Sequence, residues 1–314
     1  MWIIRNSAIR RGLLGLVVLM VTAGSTSVGA ATLRWKFKPG ETLRYAMEQK
    51  RVTTLKVPGQ ELKTTLTQTI DLSWAVKDVA ADGKADVSWT IDRMRTKIES
   101  ALGAFAYDTK DEKVPEGPVA AALVPTLKVL VGAQFPFKIN PQGELSDVKV
   151  PETVVQALRD AGPAATGSNS SFSEEGLKNM IIQSSLGLPM EDIAEGKTWS
   201  KQSKIPSPPI GTMNLDMTFT YLGPDPKTAG IEKVGLATKI SVEPQPDSNV
   251  QFQIDAQEVK GAYSFDNAAG RVVNSEMIEK METTATFMTQ KIQQIVDTKT
   301  TMKLVSGGAA EPAN

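Results

Sequence analysis

Hydrophobic and polar residues alternate with a period of two along much of this chain. The alternation is clearest over residues 65–76 and 85–91, and it returns over 213–221 and 250–256. Successive side chains of a strand point to opposite faces, so this pattern predicts long β-strands with one apolar face. One apolar face and one solvated face are typical of antiparallel sheets.

Glycine-containing turns separate these runs. Asp82-Gly83 lies between the first two runs and predicts a hairpin. Further hairpins are predicted around Gly143 in "FPFKINPQGELSDV" and around Gly270 in "AYSFDNAAGRVV". The likeness of these two passages has two interpretations: an internal duplication, or the self-resemblance of any long meander of strands and glycine turns.

Helical patterns are few. Residues 119–131 are apolar on most sides and contain Pro125, which predicts a kinked or divided helix. Residues 151–161 begin with a proline and carry an apolar stripe. Ser171 and Glu174 form a capping-box pair before a third helix, and the glycine- and serine-rich residues 162–172 predict a linker.

The segment 271–305 fits either of two structures. Its methionines have near-helical spacing, which would suit a long amphipathic helix, but the segment is dense in threonine. A β-branched threonine loses side-chain freedom in a helix and packs well on a sheet, so we favour two strands. Residues 306–314 predict a frayed tail.

These elements predict an α+β fold. Long antiparallel strands would form one or two curved, half-barrel-like sheets, with a few helices packed on one face. We expect a first sheet-and-helix half at 31–161, a linker at 162–172 and a second half at 173–305.

The first thirty residues have the composition of an export signal. Arg5, Arg10 and Arg11 precede the apolar run "LLGLVVLMVTAG", and small residues follow up to Ala30. Cleavage after Ala30 or Ala31 would yield a secreted or periplasmic protein. Both the general and the twin-arginine export routes stay open. After the signal no segment is long and apolar enough to cross a bilayer.

Composition excludes several classes of function. The chain contains neither cysteine nor histidine. This composition excludes imidazole-dependent catalytic triads and the usual zinc, copper and haem sites. Its 35 basic and 35 acidic residues are balanced, whereas nucleic-acid binding would demand a clustered basic face, so a nucleic-acid partner is not expected. We predict no cofactor, no metal site and no catalytic residue. Composition leaves open carboxylate pairs, Ser–Lys dyads and oxygen-only calcium or magnesium sites. Among enzymes, a carboxylate-dependent hydrolase is the class that we retain as a third hypothesis.

The apolar strand faces must be covered. Either the helices close a core over them, or the sheet curls around a cavity that accepts a hydrophobic guest, to which flexible methionines adapt well. In the second case the candidate lining residues are Trp74, Trp89, Met213, Met217, Phe219, Phe252 and Phe265.

Three passages carry a family resemblance: "LRWKFKPGETLRYAMEQ", "FAYDTKDEK" and "LVGAQFPFKINPQGELSDVKVPE". They resemble an uncharacterised family of secreted bacterial proteins known only as a domain of unknown function, which implies no catalytic residues. In strand length and helix placement the pattern is also similar to LolA-type periplasmic lipoprotein carriers. That likeness implies an open half-barrel that shelters acyl chains.

The sequence therefore favours a secreted or periplasmic, non-enzymatic protein. Its partner would be a hydrophobic small molecule or lipid, or an envelope protein. The alternative is a structural or protein-interaction module with a closed core and no ligand.

Overall fold

The computed structural model describes residues 30–101, 103–160, 174–183, 185–207, 209–246 and 248–309. The predicted export signal up to residue 29, the linker at 162–172 and the capping residue Ser171 lie outside these residues.

Within the described residues the chain is predominantly β. The strands are β1 (Glu41–Val57), β2 (Gln60–Val79), β3 (Ala85–Ser100), β4 (Gly103–Asp108), β5 (Gln134–Ile139), β6 (Leu145–Ser146), β7 (Thr198–Ser207), β8 (Gly211–Pro224), β9 (Ile231–Pro244), β10 (Val250–Asp266), β11 (Arg271–Phe287) and β12 (Gln290–Ala309). The helices are α1 (Pro118–Leu130), α2 (Glu152–Asp160) and α3 (Glu174–Gln183).

All these strands belong to one open sheet. Its order is β6-β5-β3-β2-β1-β12-β11-β10-β9-β8-β7, and β4 pairs with β3 beside β5. Every pairing is antiparallel. Two meanders, β1 to β6 and β7 to β12, thus meet at the centre, where the first strand pairs with the last. The prediction of long antiparallel strands is confirmed, with one sheet rather than two, while the internal duplication stays a prediction.

Residues 271–305 form strands, as the threonine content predicted. β11 and β12 pair from Phe287↔Gln290 to Asn274↔Lys303. β12 then continues to Ala309, which pairs with Glu41. The prediction of a frayed tail was therefore wrong for residues 306–309, because the backbone of β1 offers them hydrogen-bonding partners.

The helices occur where they were predicted. Pro125 lies inside an uninterrupted α1, so the predicted division of this helix does not occur. Val154, Val155 and Leu158 form the buried stripe of α2, and Leu177 and Ile181 are fully buried on α3. The helices and the apolar face of the sheet share one hydrophobic core.

The segment before β1 connects the two predicted hairpins around Gly143 and Gly270. Trp35 N–H donates to Pro141 O at 2.8 Å, and Lys36 N–H donates to Gly270 O at 2.9 Å. The Trp35 ring stacks on Trp74 and meets Phe265 edge-on, both at 5.8 Å. One extended segment therefore joins the turns of the two meanders.

The sheet divides between β9 and β10. These strands pair only over residues 231–238 and 259–266, although β9 continues to Pro244 and β10 begins at Val250. At the fork Ile240 N–H donates to Gln257 Oε1, and Gln257 Nε2 donates to Ile240 O, both at 2.7 Å. One side-chain amide thus replaces the strand partner that Ile240 lacks on this side.

Candidate functional site

A partly open cavity of about 350 Å³ lies on the helix-facing side of the sheet, in its C-terminal half. Each of the six strands β7 to β12 contributes one residue to its floor, and each of these residues lies opposite the next one in the strand pairing. This row, termed the Lys201 row, consists of Lys201, Met217, Thr238, Val259, Glu279 and Thr298.

The walls of the cavity are mainly apolar. Phe219, Leu236 and Met277 come from the adjacent row of the sheet, and Leu215 and Ile240 lie on its other side. Ile182 of α3 also contributes to the lining. The alternation of β8 and β9 places these side chains on one face.

The cavity becomes polar towards the centre of the sheet. Arg51 Nη2 lies 3.6 Å from Glu279 Oε2, and Arg51 Nε donates to Thr298 Oγ1 at 3.1 Å. Gln49 Nε2 donates to Thr300 Oγ1 at 3.1 Å. The helix-facing side of β1 therefore changes from apolar near its start to hydrogen-bonded polar residues beyond Met47.

A second polar region of the lining comprises Ser185, Lys201 and Ser203. Ser185 lies near the β7 edge, because Gly187, two residues further on, accepts a hydrogen bond from Trp199 of β7. Burial lowers the pKa of the Lys201 ammonium, while the charge of Glu144 acts in the opposite direction. Nearby, Trp199 stacks on Phe219 at 5.4 Å and donates its indole N–H to Gly187 O at 2.9 Å.

Tyr263 also lines the cavity, at its core end. Burial raises the pKa of its hydroxyl to about 12, so it is neutral at physiological pH. The cavity thus offers apolar walls, a cation at one edge and a paired carboxylate near the centre, an arrangement suited to binding.

The structure divides the predicted lining residues into three groups. Met217 and Phe219 line the cavity. Trp74, Trp89 and Phe265 lie in the closed core instead, none more than 4% exposed, and each packs against other aromatic rings. Met213 and Phe252 are half-buried and lie outside the cavity lining.

Sequence reasoning did not identify Lys201, Ser185 or the polar end of the cavity. A signal for Lys201 was present, since "TWSKQSKIPS" alternates so that Trp199, Lys201, Ser203 and Ile205 share one face. The polar end depends on β1 pairing with β12, residues far apart in the sequence.

Several acidic residues outside the cavity are engaged in ion pairs. Arg93 Nε donates to Asp108 Oδ1 at 2.9 Å, and this pairing lowers the pKa of Asp108 to about 2. A buried pair joins Arg271 Nη2 to Glu41 Oε2 at 3.0 Å. In the described part of the chain, no cluster of three or more acidic residues is arranged to hold a metal ion.

None of the helices in the described ranges has both the length and the apolar character needed to cross a membrane.

Fold and cavity define an open antiparallel sheet protein with a mainly apolar cavity. The chain belongs to a family of unknown function, DUF6263, whose model matches residues 82–272. The resemblance to a domain of unknown function is thereby confirmed, although the passage "LRWKFKPGETLRYAMEQ" precedes the matched region. No curated protein sequence matches the chain.

Among solved structures, the chain is similar to lipovitellin, in a structure concerned with lipid–protein interactions. The TM-score is 0.52 at 12% identity, and the match covers 89% of this chain but only 26% of the lipovitellin chain. This likeness shows the fold alone. DynF from Micromonospora chersina (TM-score 0.23, 8% identity, 95% of each chain) and a DUF1329 family protein from Desulfovibrio piger (0.15, 9%, 86% of this chain and 87% of that chain) are too dissimilar to carry an argument.

Proposed function

We propose that this protein is a non-enzymatic, secreted or periplasmic protein that binds a hydrophobic ligand in the cavity above the Lys201 row. The observation that carries the proposal is the mainly apolar cavity of about 350 Å³ beneath α3. Ligand sites are typically apolar hollows of about 300 to 1,000 Å³ with a few polar groups.

The cavity walls suit a flexible apolar chain. Met217 and Met277 adapt their shape easily, and Leu215 and Ile240 provide aliphatic surface. Each buried methylene group of a ligand contributes about 0.8 kcal/mol. Lipovitellin, whose fold is similar, is described through its lipid–protein interactions, which supports a lipid-like guest.

Export is supported by the N-terminal sequence, with its arginines, apolar run and small residues up to Ala30. A non-enzymatic role is supported by the composition, which supplies neither imidazole nor thiol. A cell-envelope protein is the other partner that this location would provide.

One observation favours a second function, an interaction module without a ligand. In the N-terminal half the aromatic residues Trp74, Trp89 and Phe137 are packed in a closed core. If the protein is such a module, the C-terminal cavity would have no ligand-binding role.

Titration of the purified protein with an environment-sensitive fluorescent fatty acid tests the proposal, with the emission of the fatty acid itself as the signal. We expect saturable binding that tightens about tenfold for every two methylene groups added, until the cavity is filled. A bulky side chain at Met217 (Met217→Trp) should weaken binding at least about tenfold, because it fills the floor of the cavity.

Met190→Trp is the matched control, because Met190 is 80% exposed and outside the cavity; it should bind as the wild type does. Absence of saturable binding over a panel of fatty acids and alcohols would reject the ligand proposal and favour the interaction module. Equal binding by wild type and Met217→Trp would place the ligand elsewhere.

A further inference from the structure

The β7 edge of the cavity carries the ammonium group of Lys201, which forms no ion pair among the described residues and feels the charge of Glu144 without a direct contact. Lys201 and Glu279 are the charged residues of the lining among the residues described. Glu279 is paired with Arg51 at the opposite end of the Lys201 row. The nearby Glu144 accepts a hydrogen bond from Asn140 Nδ2 at 2.8 Å.

Lys201 faces inward at the polar edge of a mainly apolar cavity. It lies beside Met217, and its inward neighbours along β7 are Trp199 and Ser203. Burial lowers its pKa, which means that the surroundings disfavour the ammonium form. An anion bound beside it would offset this cost.

A second observation at the same edge concerns Ser185. This residue is 7% exposed and lines the cavity, and its Oγ has no hydrogen-bond partner among the residues described. A buried hydroxyl without a hydrogen-bond partner is energetically costly. A ligand atom that accepts its proton would remove that cost.

We propose that Lys201 and Ser185 bind the anionic head group of a single-chain amphiphile, a carboxylate or a phosphate, whose apolar tail lies along the Lys201 row. This inference rests on the proposed function and names its ligand class. The row from Lys201 on β7 to Glu279 on β11 crosses four strand spacings, about 19 Å at ~4.8 Å each. The tail would therefore run over Met217 and Val259 towards the polar centre of the sheet.

Lys201 has a competing explanation, because β7 is an edge strand of the sheet. Inward-pointing charges on edge strands prevent edge-to-edge association. In that case its loss would cause self-association and leave ligand preference unchanged.

The test compares palmitate, hexadecyl phosphate and the neutral hexadecanol as competitors for a bound fluorescent fatty alcohol. We expect the wild type to prefer either anion over the alcohol by about tenfold or more, the size of a charge-assisted contact at a partly buried site. Lys201→Met should lose this preference and keep its affinity for hexadecanol.

Lys204→Met is the matched control, since Lys204 lies on the same strand but points outward; it should keep the preference. Ser185→Ala should reduce the preference severalfold. Light scattering on each variant reports self-association.

The outcomes separate the two proposals. If hexadecanol and both anions bind equally to the wild type, the head-group proposal is overturned while the hydrophobic-ligand function stands. If Lys201→Met keeps the preference, whether or not it self-associates, the proposal is also overturned. If none of the three competitors binds, the proposed function itself fails. Acetate and inorganic phosphate, which lack a tail, should not displace the probe.

Discussion

At the residue scale, the packing between the first extended segment and the two hairpins depends on glycine. Gly143 has φ +80°, and a β-carbon there would lie 2.2 Å from Leu186 O and 2.6 Å from Trp35 Nε1. At Gly270 a β-carbon would lie 2.5 Å from Lys36 N. Both turns therefore need glycine for two reasons: its positive φ, and the close approach of neighbouring atoms that a β-carbon would block.

Gly143→Ala should consequently be far more destabilising than the same change at Gly40. Gly40 has a similar φ of +77° but open space around its α-carbon, so Gly40→Ala should cost about 1–2 kcal/mol from backbone strain alone. We expect Gly143→Ala to cost more than about 4 kcal/mol or to prevent folding. Urea denaturation measures both variants, and equal losses would show that the contact with Trp35 is unimportant.

At the element scale, alternation predicted which side chains share a face but not where that face turns polar. In β1 the inward positions run from Leu43, Tyr45 and Met47 to Gln49 and Arg51. Read alone, Gln49 and Arg51 interrupt the apolar face of β1. Pairing with β12 supplies Thr298 and Thr300 as hydrogen-bond partners, so the strand continues despite the change.

The fork between β9 and β10 depends on the Gln257 amide. Gln257→Leu would leave the Ile240 N–H and C=O without their side-chain partner, and we expect a loss of about 1–3 kcal/mol. Hydrogen exchange at the Ile240 amide should accelerate. Gln253→Leu, at an exposed position of the same strand, should change stability by no more than about 0.5 kcal/mol. Unchanged exchange at Ile240 in Gln257→Leu would show that the fork is held by other contacts.

At the scale of the whole molecule, the centre of the sheet is made by the strands furthest apart in sequence. β1 and β12 pair from Lys56↔Gln293 to Glu41↔Ala309. Because this pairing joins the two meanders, neither half has its complete set of neighbours without it. We therefore expect folding to be completed only when the last strand pairs, and contacts of such sequence separation are slow to form.

A chain that ends after Phe287 should accordingly fail to fold cooperatively. It lacks β12 and exposes the inner edges of both β1 and β11, a loss larger than the typical net stability of about 5–15 kcal/mol. A chain that ends after Val305 loses only the last residue pairs between β1 and β12 and should still fold. Circular dichroism and thermal melting distinguish the two. A cooperative, native-like melt of the shorter chain would mean that the halves fold independently.

The sequence predicted the local structure well and the site only in part. Strand positions, hairpin turns and helix faces were predictable because they follow from periodicities of two and 3.6 residues within single segments. Met217 and Phe219 were identified as lining residues from the same alternation. The same argument proposed Trp74, Trp89 and Phe265, which lie in the core. Alternation specifies which side chains share a face of the sheet, but not whether a helix or a cavity covers them.

The sequence by itself determined that this protein would be built from long antiparallel strands with one apolar face, and that it would work without imidazole or thiol. The alternation is local and the lack of histidine and cysteine is compositional, so both can be read without knowledge of any tertiary contact. Only the tertiary structure decided that β1 pairs with β12, that the cavity lies in the C-terminal half and that Lys201 borders it. These features depend on contacts between residues far apart in the chain. The pattern of a single strand does not specify which strand it pairs with or in which register.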